Sequence, residues 1–211
     1  MSYTYRGISN NTQSRKLLMP WMVFPSVFSP AELTTIENYC KSLPLTAGES
    51  PMANGVNLSE EAESKFRISN VGFHFSNDPK LKFVFEKFNN LFEYVNSMFY
   101  NFDINGYDYF QYAEYDAKES GQYNWHMDLS FGEHSEDVYS TRKLSMSMLL
   151  NTPEVDFEGG DFQTFLAKEI NVPLKRGEIL IFPSFIVHRV KPVTKGIRKS
   201  LVIWVTGPGF K

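Results

Sequence analysis

The 211-residue sequence contains one cysteine, Cys40. Neither an internal disulfide nor a cysteine-built zinc cluster can therefore form. Excess positive charge is also missing. The 24 acidic and 21 basic residues leave a net charge of −3, with no cationic stripe suited to nucleic acid or anionic lipid. Long apolar runs are absent as well: Pro25 and the Pro183–Ser184 pair interrupt the greasiest stretches, short of the ~18 residues that span a membrane. The opening MSYTYR lacks the apolar core of a secretion signal. No repeat, low-complexity tract or Gly/Ser linker divides the chain, so residues 1–211 read as one domain. These absences predict a soluble protein of a reducing, cytoplasmic compartment, without membrane or nucleic-acid partners.

Aromatic residues are plentiful, at 16% with 19 Phe and 11 Tyr, which supplies a large core without covalent staples. Residues 1–18 are polar and basic and read as a lead-in; 19–28 read as a short buried strand and turn. Ser29, Pro30 and Glu32 fit an N-cap, first helical position and capping-box partner. A helix should follow and end near Ser42. Residues 45–65 are acidic and rich in turn formers, either a mobile lid or plain disorder. Residues 66–75 alternate as a strand, and a helix is expected over about 79–100 with Leu81, Phe85, Phe88, Phe92, Val95 and Phe99 in one stripe. From Gly106 onward, strands are expected near 106–115, 122–128, 143–151, 161–165, 170–174, 178–182, 185–191 and 197–206. Turns fall at Glu158–Gly160, Lys175–Gly177 and Thr194–Gly196. Residues 1–105 thus form a strand-and-helix support region and 106–211 a β core. The fold class is α+β, with a sandwich or jelly-roll β part.

Chemistry concentrates in the β core. His126 and Asp128 are two apart, so on a strand they share a face. A chance His-x-Asp arises in about 15% of sequences of this composition, so the pair alone says little. His188 sits in a strand-like run further on and completes a set of two histidines and one carboxylate. That set occupies one face of Fe(II) and leaves positions open. Arg198, ten residues later, shares a strand face with Ser200 and Val202; its guanidinium fork suits a dianion's far carboxylate. His74 reads as a structural histidine and His134 as an exposed loop residue. Arg67 is either a substrate contact beside the lid or a surface ion-pair partner. Gly159 and Gly160 read as a turn, because no phosphate-loop lysine follows.

Several ordered pieces make this region recognisable: YNWHMD at 123–128, LLN at 149–151, GGDF at 159–162, PLKRGEILIF at 173–182, VHRVKPVTKGIR at 187–198 and VIWV at 202–205. Together they resemble the iron(II)/2-oxoglutarate dioxygenases, in the prolyl 4-hydroxylase-like branch that includes bacterial and phage PKHD-type hydroxylases. The resemblance covers about 107–208, and the stretch at 24–33 looks like the family's opening strand and helix. It implies a double-stranded β-helix (a distorted jelly roll) with N-terminal helices packed on its outer sheet. It implies Fe(II) on His126, Asp128 and His188, with Arg198 gripping the far carboxylate of 2-oxoglutarate. Tyr115 matches a tyrosine near the cosubstrate, with one extra residue before the histidine, and Trp204 matches a tryptophan lining the pocket near the metal. Leu149 stands where some prolyl hydroxylases place a cosubstrate-binding tyrosine, so that contact falls to Tyr115 or Tyr112.

The implied reaction hydroxylates an unactivated C–H bond, foremost a prolyl residue in a peptide or protein. It uses O2, releases succinate and CO2, and draws on ascorbate as a candidate reductant. A phage-encoded copy would act in the host cytoplasm. Segments 45–65 and 129–141 are expected to close over substrate. Two alternatives differ in class. One is a nucleobase-oxidising relative, which the acidic charge disfavours. The other is a non-catalytic jelly-roll binding or structural module, which has no need to keep all four polar groups.

Overall fold

The computed structural model describes residues 19–48, 65–74, 79–129 and 141–210. The expected lead-in, most of the expected lid (49–64), Phe75 and the loop with His134 lie outside the described residues. Strands in chain order are β1 (Met22–Phe24), β2 (Thr46–Ala47), β3 (Arg67–Ile68), β4 (Asn70–His74), β5 (Gly106–Asp116), β6 (Gln122–His126) and β7 (Thr141–Leu149). There follow β8 (Phe157–Gly159), β9 (Phe162–Leu166), β10 (Lys168–Asn171), β11 (Ile179–Pro183), β12 (His188–Val190) and β13 (Val193–Gly207). Helices α1 (Pro30–Lys41) and α2 (Lys82–Val95) complete the set. The larger sheet runs β1-β11-β7-β13-β5-β4-β2, with β8 beside β13; the smaller runs β10-β9-β12-β6-β3. All the pairings between named strands are antiparallel. The architecture is the expected double-stranded β-helix.

Strand alternation sorts the side chains into two cores. Phe110 and Tyr112 of β5, Met146 and Met148 of β7, and Leu201 and Ile203 of β13 face the helices. They pack there against Leu33, Ile36 and Cys40 of α1 and Val84, Phe88 and Phe92 of α2. Between the sheets lie Ala113 and Tyr115, Leu149, Leu180 and Phe182, with Tyr123, Phe162 and Val190 from the smaller sheet. Period-two side chains on a sheet covered on both faces give this division directly. The N-terminal half is more than a support: β1, β2 and β4 are strands of the larger sheet, and β3 joins the smaller one.

Helix α1 starts as the sequence predicts. The Ser29 hydroxyl accepts from the Glu32 backbone N–H at 3.3 Å, and Glu32 Oε2 accepts from the Ser29 N–H at 2.7 Å. Ser42 is its C-cap. The second expected helix is three pieces: a 3₁₀ turn at Pro79–Leu81, then α2, then a π turn at Asn96–Tyr100. The Asn96 side chain accepts from the Phe102 N–H and donates to its carbonyl, turning the chain toward β5. Among the described residues no helix is long and apolar enough to cross a membrane.

Several expected boundaries move. The strand placed at 122–128 ends at His126. The strand placed at 185–191 shrinks to His188–Val190, because Ile186 donates to the Pro183 carbonyl and closes a turn. No reversal occurs at 194–196: β13 runs through, its register against β8 shifting between Val193 and Lys195, just before a left-handed Gly196 (φ +68°). A glycine bulge bends a strand without ending it.

Candidate metal and dianion site

His126 is the last residue of β6 and His188 the first of β12, directly opposite each other in the ladder. Their ring centroids are 4.1 Å apart. His126 Nδ1 lies 2.7 Å from the Asn124 carbonyl and His188 Nδ1 lies 2.9 Å from that of Ile186. A carbonyl only accepts, so each Nδ1 carries the proton and each Nε2 keeps its lone pair. Tyr123 stacks on the His126 ring at 3.5 Å, and Phe162 stacks on His188 at 5.3 Å. The imidazoles are thus fixed in tautomer and in plane.

Asp128 reaches the same spot by a different route from the one the sequence suggested. It lies beyond the strand end, on a bend whose Asp128 and Leu129 N–H groups both donate to the Ser184 carbonyl, at 2.9 and 3.0 Å. Its Oδ1 is 3.8 Å from His126 Nε2, and its Oδ2 is 3.6 Å from His188 Nε2. One donor atom from each of the three residues falls within 4.8 Å of the others, and all three residues are buried. Burial, reinforced by the neighbouring His188, holds the His126 imidazole neutral, far below its ordinary pKa. Burial would raise the Asp128 carboxyl, but His188, His126, Arg142 and a Ser145 hydrogen bond outweigh it and hold the carboxyl low. Two imidazoles with Nε2 turned inward and one carboxylate, dry and convergent, fit the donor set of a ferrous ion.

Arg198 is 2% exposed and sits between the sheets, opposite Tyr115 in the β13–β5 ladder. Its Nη1 donates to Ser200 Oγ at 3.1 Å, and its guanidinium carbon lies 5.6 Å from the Tyr115 ring centre. No ion pair holds it among the described residues, and burial lowers its pKa. Asp161 acts on it only at longer range, and a buried guanidinium without a bonded carboxylate is costly. Gly160 makes room for it: a Cβ there would stand 2.9 Å from Arg198 Cδ, at a φ of +64°.

Arg198, His126, Asp128, His188, Tyr115 and Trp204 all line one cavity of about 740 Å³. Tyr112 does not. It differs from Tyr115 by three positions, so it points to the helix side, where its hydroxyl donates to Glu114 Oε1 at 2.5 Å. Tyr112, expected beside the cosubstrate, thus lies on the wrong face of the sheet for this cavity, and of the two tyrosines Tyr115 lines it. His74, expected to be structural, lies in the helix-side core with Tyr39 Oη 2.5 Å from its Nδ1.

Sequence reasoning missed Arg142. It lies over the Trp204 ring at 3.9 Å and pairs with Asp108 at 2.7 Å, with both the arginine and the tryptophan lining the cavity. Its number parity puts it with Leu144 and Met146, on the helix side. A register shift between Val205 and Thr206 adds one residue to β7 there and turns Arg142 inward. Arg67, the other undecided residue, also lines the cavity, with its guanidinium 4.6 Å over the Tyr123 ring.

Known proteins share both the sequence of the β core and the fold. Residues 110–206 match the family model of the 2OG-Fe(II) oxygenase superfamily. The match takes in just under half of the chain, and over it the sequence is similar to that superfamily. A PKHD-type hydroxylase of Aliarcobacter butzleri is 33% identical over 93 residues, covering 42% of this chain and 39% of the relative. One from Parvibaculum lavamentivorans is 36% identical over 81 residues, covering 36% of each. The matched stretch thus spans under two fifths of these relatives' lengths. Among solved structures, a Pseudomonas putida prolyl-4-hydroxylase superposes with a TM-score of 0.63 at 20% identity, covering 90% of this chain and 94% of its own. A Trichoplax adhaerens prolyl hydroxylase, in complex with a hypoxia-inducible-factor peptide fragment, gives 0.66 at 17%, covering 89% and 84%. These superpositions establish the common fold. The oxygenase family's Fe(II), 2-oxoglutarate and O2 suit the site's chemistry: three convergent metal donors and, lining the same cavity, a buried guanidinium with no ion pair among the described residues.

Proposed function

We propose that this chain is an Fe(II)- and 2-oxoglutarate-dependent dioxygenase that hydroxylates an unactivated C–H bond, foremost in a prolyl residue of a peptide or protein. The observation that carries the reading is the cavity itself. His126, Asp128 and His188 converge in it, and Arg198 is buried in the same space with no ion pair among the described residues. A non-catalytic jelly roll has no reason to bear the desolvation of all four groups. The peptide or protein substrate is supported by the prolyl hydroxylase neighbours, one of them bound to a peptide.

In this reading His126 and His188 offer Nε2 lone pairs and Asp128 offers a carboxylate oxygen, which together hold the ferrous ion on one side. The iron, when bound, supplies the redox chemistry that couples O2 and 2-oxoglutarate to C–H oxidation, with succinate and CO2 released. The chain does the rest. Arg198 would donate from its fork to the far carboxylate of 2-oxoglutarate, with Ser200 and Tyr115 beside it. Aromatic packing around both imidazoles keeps water from the donor atoms. Trp204, held by Arg142 and edge-on Tyr109, forms the wall nearer the substrate. The proposal extends to one domain, a reducing cytoplasmic setting in which Cys40 stays a thiol, and ascorbate as reductant.

Mass spectrometry of proline-containing peptides incubated with the protein, Fe(II), 2-oxoglutarate and air tests it. The expected result is gain of one oxygen atom on proline, with matching succinate, lost when either iron or 2-oxoglutarate is omitted. Succinate formation with oxygen gained on another residue would overturn the prolyl assignment. Absence of both would overturn the enzyme.

A further inference from the structure

Of the Leu149–Leu150–Asn151 run, the two leucines enter the two cores. The asparagine has a different task, set by a gap in the larger sheet. Strand β7 pairs with β13 only from Ser200 onward, and β8 takes up β13 only as far as Gly196. On the edge away from β5, the three residues centred on Arg198 therefore have no described strand beside them. Backbone groups left open there would need other partners.

Asn151 supplies them. Its Nδ2 donates to the Ile197 carbonyl at 2.7 Å, and its Oδ1 accepts from the Lys199 N–H at 2.9 Å. The Lys199 carbonyl is taken by the Leu150 N–H, also at 2.9 Å. A primary amide carries a donor and an acceptor side by side, as a peptide group does, so one side chain stands in for the missing strand. The turn that follows holds the amide in place. Within it the Thr152 N–H donates to Asp156 Oδ2 at 2.7 Å, and the Asp156 N–H donates to the Thr152 carbonyl at 2.9 Å. Gly196 lets this turn rest against β13, because a Cβ there would collide with the Asp156 carbonyl. On its other edge Arg198 is paired with Tyr115 of β5. The backbone of Arg198 is thus bracketed on both sides.

We infer that Asn151 is a positioning residue for cosubstrate binding: by bracketing the Arg198 backbone it fixes how far the guanidinium stands into the cavity, and so the length of diacid the site takes. Asn151 does not itself line that cavity. The inference rests on the 2-oxoglutarate reading proposed above, and its test separates the two. Without the bracket, residues 197–199 sample other arrangements, and apparent affinity falls with the fraction still competent to bind.

Calorimetric titration of the Mn(II)-loaded protein with 2-oxoglutarate, and with the one-carbon-longer 2-oxoadipate, reads the effect without turnover. Asn151→Ala, which removes two hydrogen bonds, should weaken 2-oxoglutarate binding by about 10-fold. Asn151→Asp keeps the shape but sets an oxygen against the Ile197 carbonyl, and should act in the same direction. In both variants the preference for 2-oxoglutarate over 2-oxoadipate should narrow, while Mn(II) affinity changes little. Unchanged 2-oxoglutarate affinity would overturn the positioning role and leave the oxygenase reading standing. So would a loss shared equally by Mn(II) and both diacids and matched by a fall in melting temperature. An unaltered protein that fails to bind Mn(II) or, once loaded, 2-oxoglutarate would overturn the oxygenase reading, and this inference with it.

Discussion

Arg198 is the residue whose burial makes least sense without a ligand, and its substitution is correspondingly informative. Truncating one partner of a buried charge pair costs about 2–5 kcal/mol. Arg198→Ala should therefore weaken 2-oxoglutarate binding by about 30-fold or more, measured calorimetrically, with Fe(II) affinity within about 2-fold of the parent. Unchanged 2-oxoglutarate affinity would remove Arg198 from the site. The two tyrosines give a paired test at the same scale. Tyr115 faces Arg198 across the ladder, whereas Tyr112 faces Glu114 behind the sheet. Tyr115→Phe should weaken 2-oxoglutarate binding several-fold, and Tyr112→Phe should leave it unchanged. The opposite pattern would contradict the faces assigned to them. That His126, Asp128, His188 and Arg198 would meet in one cavity was legible in the sequence, because their types and order single them out as a set. The separation of Tyr112 from Tyr115 was also legible in principle, since positions three apart on a strand cannot share a face. Arg142 was not, because its inward turn depends on a register shift in the neighbouring strand.

At the scale of elements, the start of α1 makes a prediction with a definite sign. Lys87 bonds Glu32 at 2.8 Å, and with the capping-box contacts it lowers the Glu32 pKa from 4.5 to about 2. A depressed carboxyl stabilises the fold above its unfolded pKa and loses that contribution as pH falls through the folded value. Glu32→Gln should accordingly melt below the parent at neutral pH, and the gap should close between pH 4.5 and about 2. A gap that persists at low pH would contradict the ion pair and cap as its cause. Ser29→Ala, which removes the hydroxyl cap, should cost about 1 kcal/mol in denaturant unfolding. The cap was readable because its motif is local. The ends of β6 and β12 were not, because long-range contacts set them: Asp128 leaves its strand to reach the Ser184 carbonyl, and Ile186 turns back on Pro183. Likewise the two-residue strands β2 and β3 exist only through their partners β4 and β6.

Across the molecule, two cores share the larger sheet: one seats the helices and the other holds the site. Cys40 lies at the centre of the helix-side core, 0% exposed, and burial pushes its thiol up to about 12. At pH 8 a thiol with that pKa is about 0.01% thiolate. Iodoacetamide should leave Cys40 unmodified in the folded protein and label it fully in denaturant, as intact-mass measurement would show. Rapid labelling under native conditions would mean that α1 does not rest on the sheet as described. The broad architecture was foreseeable from strand rhythm and one capped helix. The contribution of β1, β2, β3 and β4 to the two sheets was not, because pairing partners this far apart leave no local trace in the sequence.

Central to the account is that two imidazoles and one carboxylate share a single ferrous ion beside a bound 2-oxoglutarate. Anaerobic titration with Fe(II) in the presence of 2-oxoglutarate, followed by visible absorption, tests this most directly. One iron per chain, a weak visible charge-transfer band, and loss of that band in Asp128→Ala are predicted. No band from the unaltered protein, or an undiminished band in Asp128→Ala, would contradict it.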